Sequence, residues 1–76
     1  MKTKVIFFAS LRERLGSAEQ TIELAEGATV AQAWEQVGGA AVEGKILAAV
    51  NEQYVGFDHV LGPDDELAFF PPVTGG

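Results

Sequence analysis

The sequence contains no cysteine. That excludes disulfides, thiolate metal sites, iron–sulfur clusters, cysteine nucleophiles and side-chain persulfides together. A small domain without such staples must fold by packing alone, which fits a reducing cytoplasm. Basic residues are also few: five lysines and arginines stand against eleven acids, a formal charge of −6. No basic stripe is available to neutralise phosphates, so neither nucleic acid nor an anionic membrane surface is an expected partner. An acidic chain suits a basic protein partner instead, or its acids serve only to keep a small protein soluble. No apolar run approaches the roughly 18 residues of a membrane span. The stretch "MKTKVIFFASLRERLG" is broken by Arg12 too early to serve as a signal peptide.

Catalytic side chains are sparse as well. His59 is the single histidine; beside Asp58 it could be an oriented base, but no nucleophile is evidently placed for it. Local hydrogen bonding in a turn is the plainer account. Asp64, Asp65 and Glu66 offer carboxylates to a hard cation, yet they lack EF-hand spacing and read as a solvated turn. No P-loop, dinucleotide-binding glycine motif or metal-ligand pattern occurs. No metal is expected.

What is present reads as one packed domain. Seventy-six residues leave no room for a second core, and 47% hydrophobic content argues against disorder. "KVIFFA", Lys4 to Ala9, is β-branched and aromatic and predicts a strand. Its apolar residues fall on both faces, Val5 and Phe7 on one, Ile6 and Phe8 on the other. Such a strand is covered on two sides, inside the fold or against a partner. "SLRERLG" predicts a helical turn opened by a Ser10–Glu13 capping box and closed at Gly16, with Arg12 and Arg14 outward. "QTIEL", Gln20 to Leu24, alternates and predicts a half-exposed strand hairpinned to the first. "TVAQAWEQVGG" carries the main helix signal. It has a Thr29–Gln32 capping box, an apolar stripe of Val30, Ala33, Trp34 and Val37, and Gly38-Gly39 as its stop. Trp34 on that stripe is assigned to the core.

"KILAAVN" predicts a buried strand, turned at Asn51-Glu52 into a brief returning strand, "QYV". "GFDHVLGPDDE" is rich in turn residues. "ELAFF", Glu66 to Phe70, is the last strand, and Pro71-Pro72 ends it because neither proline can donate to a ladder. Leu67 and Phe69 share one face, Ala68 and Phe70 the other; Phe7 and Phe69 are the core picks. This order predicts an α+β domain, a mixed sheet of about five strands with one main helix packed on one face. That is the β-grasp, or ubiquitin-like, arrangement. Residues 1–72 are assigned to it, and residues 73–76 to an extended C-terminal tail.

The tail is where chemistry is expected. The sequence closes on "AFFPPVTGG". Two prolines hold the chain extended and lower the entropy cost of ordering it. Gly75 and Gly76 carry no side chains, so their backbone can enter a channel too narrow for other residues. The terminal carboxylate is then the most deliverable group in the molecule. A free carboxylate is a poor acyl donor, so another protein must activate it.

These features carry a resemblance. "KVIFFASLRE", "GKILAAVNEQYVGFDHVL" and "DDELAFFPPVTGG" resemble the small, sulfur-carrier subunits of molybdopterin synthase, within the ubiquitin-like sulfur carriers. The turn "GPDDEL" and the short connection "GGAAVEGK" depart from the family pattern, in loops only. The resemblance implies that an adenylating enzyme of the ubiquitin-activating type uses ATP and Mg²⁺ to convert the Gly76 carboxylate to an acyl-adenylate. A sulfur donor protein then makes a thiocarboxylate. The large catalytic subunit takes up the tail, Pro71, Pro72, Val73, Thr74 and Gly75, in its own pocket. There sulfur passes to cyclic pyranopterin monophosphate, and two rounds build the molybdopterin dithiolene. The chain itself would bind no cofactor and catalyse nothing alone. Two carriers on a large-subunit dimer, in the cytoplasm, complete the family expectation.

The resemblance also gives Phe8, Tyr54 and Phe70 a role as the surface docking on the large subunit and the activating enzyme; the bland alternative is that all three are core. Other readings share the tail. A carrier for thiazole, tRNA thiolation or cysteine synthesis would use it identically, and a ubiquitin-like modifier would join Gly76 to lysines. A plain interaction domain would not need it.

Overall fold

The computed structural model describes residues 1–42 and 44–72. Five strands form one mixed sheet: β1 (Lys2–Phe7), β2 (Glu19–Glu23), β3 (Leu47–Val50), β4 (Gln53–Val55) and β5 (Glu66–Phe70), in the order β2-β1-β5-β3-β4. β1 and β5 run parallel at the centre, and every other pair is antiparallel. Two helices, α1 (Ser10–Arg14) and α2 (Val30–Gln36), and a 3-10 turn at Gly39–Ala41 complete it. This is the expected β-grasp.

Strand alternation puts Val5, Phe7, Leu67 and Phe69 on one face, all essentially inaccessible. With Ile22, Leu24, Ala48 and Val50 they meet Val30 and Ala33 of α2 and Val37 at its C-cap. Phe69 is the hub: it stacks on Phe7 at 6.4 Å and meets the Trp34 indole at 4.6 Å and Phe57 at 5.9 Å. Trp34 is half-buried and packs on this core, as its stripe predicts.

The core face also buries Thr3, whose hydroxyl has no hydrogen-bond partner among the described residues. An unmatched buried hydroxyl is destabilising. Thr3→Val is therefore expected to raise stability by about 1 kcal/mol, read from chemical denaturation.

Caps decide the helix ends. The Thr29–Gln32 capping box forms as read, with Gln32 N–H donating to Thr29 Oγ1 and Thr29 N–H to Gln32 Oε1. The Ser10–Glu13 box does not. Ala9 takes the N-cap position of α1 at φ 54°, ψ −133°, with no side-chain cap. The chain leaves β1 only after Phe8 N–H bonds to the Phe69 carbonyl, so the helix begins at Ser10 itself. β1 likewise lies earlier than expected, Lys2–Phe7 rather than Lys4 to Ala9, because the positive φ of Ala9 ends extended geometry.

Gly38 and Gly39 have different jobs. Gly38 adopts φ +90°, the left-handed stop after α2. Gly39 is buried under the Trp34 indole, and a Cβ there would overlap Trp34 Cε2 and Cδ2. A rigid ring already packed on Phe69 has little room to retreat. Gly39→Ala should cost at least about 1–3 kcal/mol. A fall of roughly 5–20 °C in the unfolding midpoint would register it, together with a changed indole fluorescence.

The turn-rich stretch after β4 is more than a connector. Leu61 is buried in the core, and Val60 bridges Thr29. Carbonyls of Phe57 and His59 accept from Ala31 and Val30 N–H groups, which α2 cannot satisfy internally. Residues 57–61 thus cap the main helix with backbone.

Candidate functional site

Among the described residues the face of the sheet opposite α2 carries no helix, and it divides in two. Around Lys4 it is polar: the ammonium lies 3.4 Å from Glu19 and 3.9 Å from Glu66. Beyond Ile6 it turns apolar. Cross-strand partners Ile6 and Ala68, Ala68 and Ala49, Phe70 and Leu47, and Ala49 and Tyr54 share this face by register. At its far edge Phe70 meets Phe8 edge-on at 6.3 Å and Tyr54 at 5.3 Å. Phe8 is 46% exposed and Tyr54 71%. The structure therefore brings Phe8, Tyr54 and Phe70 together outside the core. An aromatic cluster left in water is characteristic of a contact surface.

The face extends around the edge of the sheet. Leu47, Tyr54, Val55 and Phe57 line an open apolar groove of about 560 Å³. Sequence reasoning placed Ile6 beside Phe8 but missed this groove and Leu47 as a member of the face. Strand parity would have found both once the β3–β5 register was known.

β5 delivers the C-terminal segment beside that cluster, and its start is clamped. Asn51 and Glu52, at φ 50° and 69°, make the two-residue turn of the β3–β4 hairpin. From there Asn51 donates its backbone N–H to the Glu66 carbonyl and its side-chain amide to Asp65 Oδ1 at 2.9 Å. Its Oδ1 accepts from Glu66 N–H at 3.0 Å. Asp65 Oδ2 accepts from Gly62 N–H at 2.7 Å. The Asp65 carboxylate is thus engaged in the geometry of the turn itself, while that of Glu66 reaches Lys4. Asn51 is a positioning residue the sequence did not reveal as one.

Gly62 N–H, and after it the Asn51 amide, hold the Asp65 carboxyl below the usual carboxylate range. A carboxyl depressed by folding contributes stability above the unfolded value of about 3.9. That contribution is lost as pH falls through the folded value. Thermal unfolding followed from neutral pH to below pH ~3 is expected to show a shallower acid-side decline for Asp65→Asn than for the wild type.

At the other end of β5, Pro71 and Pro72 are half-buried. They wall a small groove of about 140 Å³ with Ser10, Leu11 and Arg14 of α1 and with Val42, Gly44, Lys45 and Ile46. Of the expected tail residues, Val73, Thr74, Gly75 and Gly76 lie outside the described residues. His59 is half-buried and engaged through its backbone, donating to the Gly56 carbonyl and accepting from Val30 N–H.

Comparison with known proteins agrees with this geometry. The model of the ThiS family matches residues 5–76. The chain belongs to the ThiS family. It is 45% identical over 80 residues to the molybdopterin synthase sulfur carrier subunit of Escherichia coli (strain K12), covering 96% of this chain and 98% of that protein. The ThiS-family fold recurs in SAMP1 of Haloferax volcanii, a small archaeal modifier protein, with TM-score 0.83, 27% identity and full coverage of both chains. It recurs also in a complex of subunits 1 and 2 of molybdopterin-converting factor from Helicobacter pylori 26695. There the TM-score is 0.66 at 22% identity, covering both chains fully. Among the described residues of this family member no helix is long and apolar enough to cross a membrane.

Proposed function

We propose that this chain is the sulfur-carrier subunit of a molybdopterin synthase, working by presenting its C-terminal carboxyl group to other proteins. The observation that carries the reading is the exposed Phe8–Phe70–Tyr54 cluster at the end of the strand that leads into Pro71, Pro72 and the final Gly-Gly. One strand supplies both a docking anchor and the delivered group.

The chemistry follows from what a carboxylate lacks. In the activating enzyme a Gly76 oxygen attacks the α-phosphorus of ATP, with Mg²⁺, and pyrophosphate leaves. A sulfur donor then displaces AMP, leaving a thiocarboxylate. Its sulfur is a better nucleophile than the oxygen it replaces; once that sulfur has bonded to the substrate, water attacks the acyl carbon, the C–S bond breaks and the Gly76 carboxylate is restored. In the large subunit the sulfur is donated to cyclic pyranopterin monophosphate, twice per dithiolene. The chain catalyses none of these steps alone. It serves a cytoplasmic heterotetramer, two carriers on a large-subunit dimer, and binds no cofactor itself. The molybdopterin-converting factor complex from Helicobacter pylori supports the large-subunit partner.

The likeness to a small archaeal modifier protein supports a second reading, in which Gly76 forms isopeptide bonds with lysines. Intact mass spectrometry of the protein from its native cells separates the two. Replacement of one oxygen by sulfur at Gly76 is expected of the carrier. Higher-mass lysine conjugates without any thiocarboxylate would replace that reading with the modifier. Failure to restore molybdenum-cofactor synthesis in cells lacking their own carrier, despite a normal fold, would remove the specific assignment.

A further inference from the structure

Positive charge is scarce in this chain, and its placement is uneven. Lys2 and Lys4 lie on β1, where Lys4 is shared between Glu19 and Glu66. Arg12, Arg14 and Lys45 make no ion pair among the described residues. Two of these converge. Arg14, from the last turn of α1, and Lys45, from the connection into β3, both line the groove walled by Pro71 and Pro72. Both are exposed, and Glu13, next to Arg14 in sequence, is not part of that lining. Two like charges brought together in water do nothing for the fold. They sit where the chain continues toward Gly76.

We propose that Arg14 and Lys45 form a cationic collar at the base of the C-terminal segment, seating on carboxylates at the mouth of the partner pocket that receives the tail. The collar rests on the tail-insertion reading above. Reach decides what it can touch. Four residues held fully extended span about 13–14 Å, so a tail extended into a pocket carries its reacting carbon away from Arg14 and Lys45. A nucleotide phosphate joined to Gly76 is beyond them for the same reason. What lies against them is the rim of the pocket.

Carboxylates are the protein groups that match two fixed cations. The rest of the chain has the opposite preference: a net −6 less these two positive charges leaves −8 elsewhere. A partner that is basic over its broad contact area and acidic only at the pocket mouth would accept the domain in one orientation. Such patterning speeds encounter and fixes register more than it adds affinity.

The test is the association rate of the full chain with the purified large subunit, measured across salt concentration. Arg14→Glu/Lys45→Glu is expected to slow association about tenfold at low salt and to converge on the wild type at high salt. Arg14→Gln/Lys45→Gln should fall between the two, and thermal unfolding checks that both fold. The control Ala25→Glu/Ala31→Glu lowers the net charge by two, as the Gln pair does, at exposed positions away from both the groove and the open face of the sheet, and is expected to slow association no more than about twofold. Carbodiimide, which joins amines to carboxylates, should couple Lys45 to an Asp or Glu of the large subunit. Unchanged rates, or equal slowing in the control, would overturn the collar while wild-type binding left the tail reading standing. Slowing without Lys45 coupling would overturn the acidic rim. Wild-type binding that is absent, or indifferent to loss of residues 73–76, would overturn tail insertion and the collar with it.

Discussion

Deleting Gly75 and Gly76, or adding a single residue after Gly76, is expected to abolish sulfur transfer completely while leaving the domain folded. The unfolding midpoint should stay within about 3 °C of the wild type, since substitutions away from core, caps and networks cost little. The physical reason is a division of labour along one strand. Leu67 and Phe69 hold β5 in the core, and the Asn51 clamp fixes where β5 begins. The described contacts of that scaffold run as far as Pro72, whose groove is lined by α1 and by Val42, Gly44, Lys45 and Ile46. An added residue moves the carboxyl group off Gly76 and puts a side chain or a further peptide unit where the channel proposed for the tail would admit neither. The measurement is paired: thiocarboxylate formation by intact mass, and molybdopterin made in a reaction with the large subunit and its substrate. Residual product from an extended chain would show that the terminal carboxyl is not the reacting group.

Much of this was legible in the sequence because local and global signals agree over β5 and α2. "ELAFF" alternates so that one parity is core and the other outward, and the structure returns those residues as β5 with the same division. "TVAQAWEQVGG" declares its cap, stripe and stop, and all three form. The signal failed where a long-range contact overrode a local one. Ser10 has the spacing of a capping residue, but the Phe8–Phe69 hydrogen bond carries the chain one residue further and leaves Ala9 at the cap. Leu61 sits in a run of turn residues, so no period marks it as core, and only its bond to Ala28 places it there. The Arg14–Lys45 pair is separated by thirty residues and meets only after folding. Strand parity located the aromatic cluster from sequence, whereas the groove beside it depends on the β3–β4 edge, which no local pattern reports.

The second large effect is expected at Phe70. Phe70→Ala should weaken binding to the large subunit by at least about thirtyfold, or ~2 kcal/mol, the scale of an interface hot spot. Phe70 is the member of the cluster that touches both others, so its loss removes two aromatic contacts and leaves Phe8 and Tyr54 without their common support. It also stands directly before Pro71, where a docking anchor governs the angle at which the tail enters a pocket. Phe70→Asp should weaken binding further, since a carboxylate in a dry interface is desolvated without a partner. Neither change should unfold the protein: Phe70 is only half-buried, and the Phe69 side chain that organises the core points to the other face. Val60→Ala is the internal control. Val60 is 58% exposed but lies at the Thr29 bridge, off the aromatic face, so its truncation should leave affinity unchanged. Calorimetric titration of the three variants against the large subunit distinguishes the possibilities. Equal losses at Phe70 and Val60 would mean that binding reads general apolar surface; a loss confined to Phe70 makes the open face of the sheet the site at which the carrier is held while its tail is used.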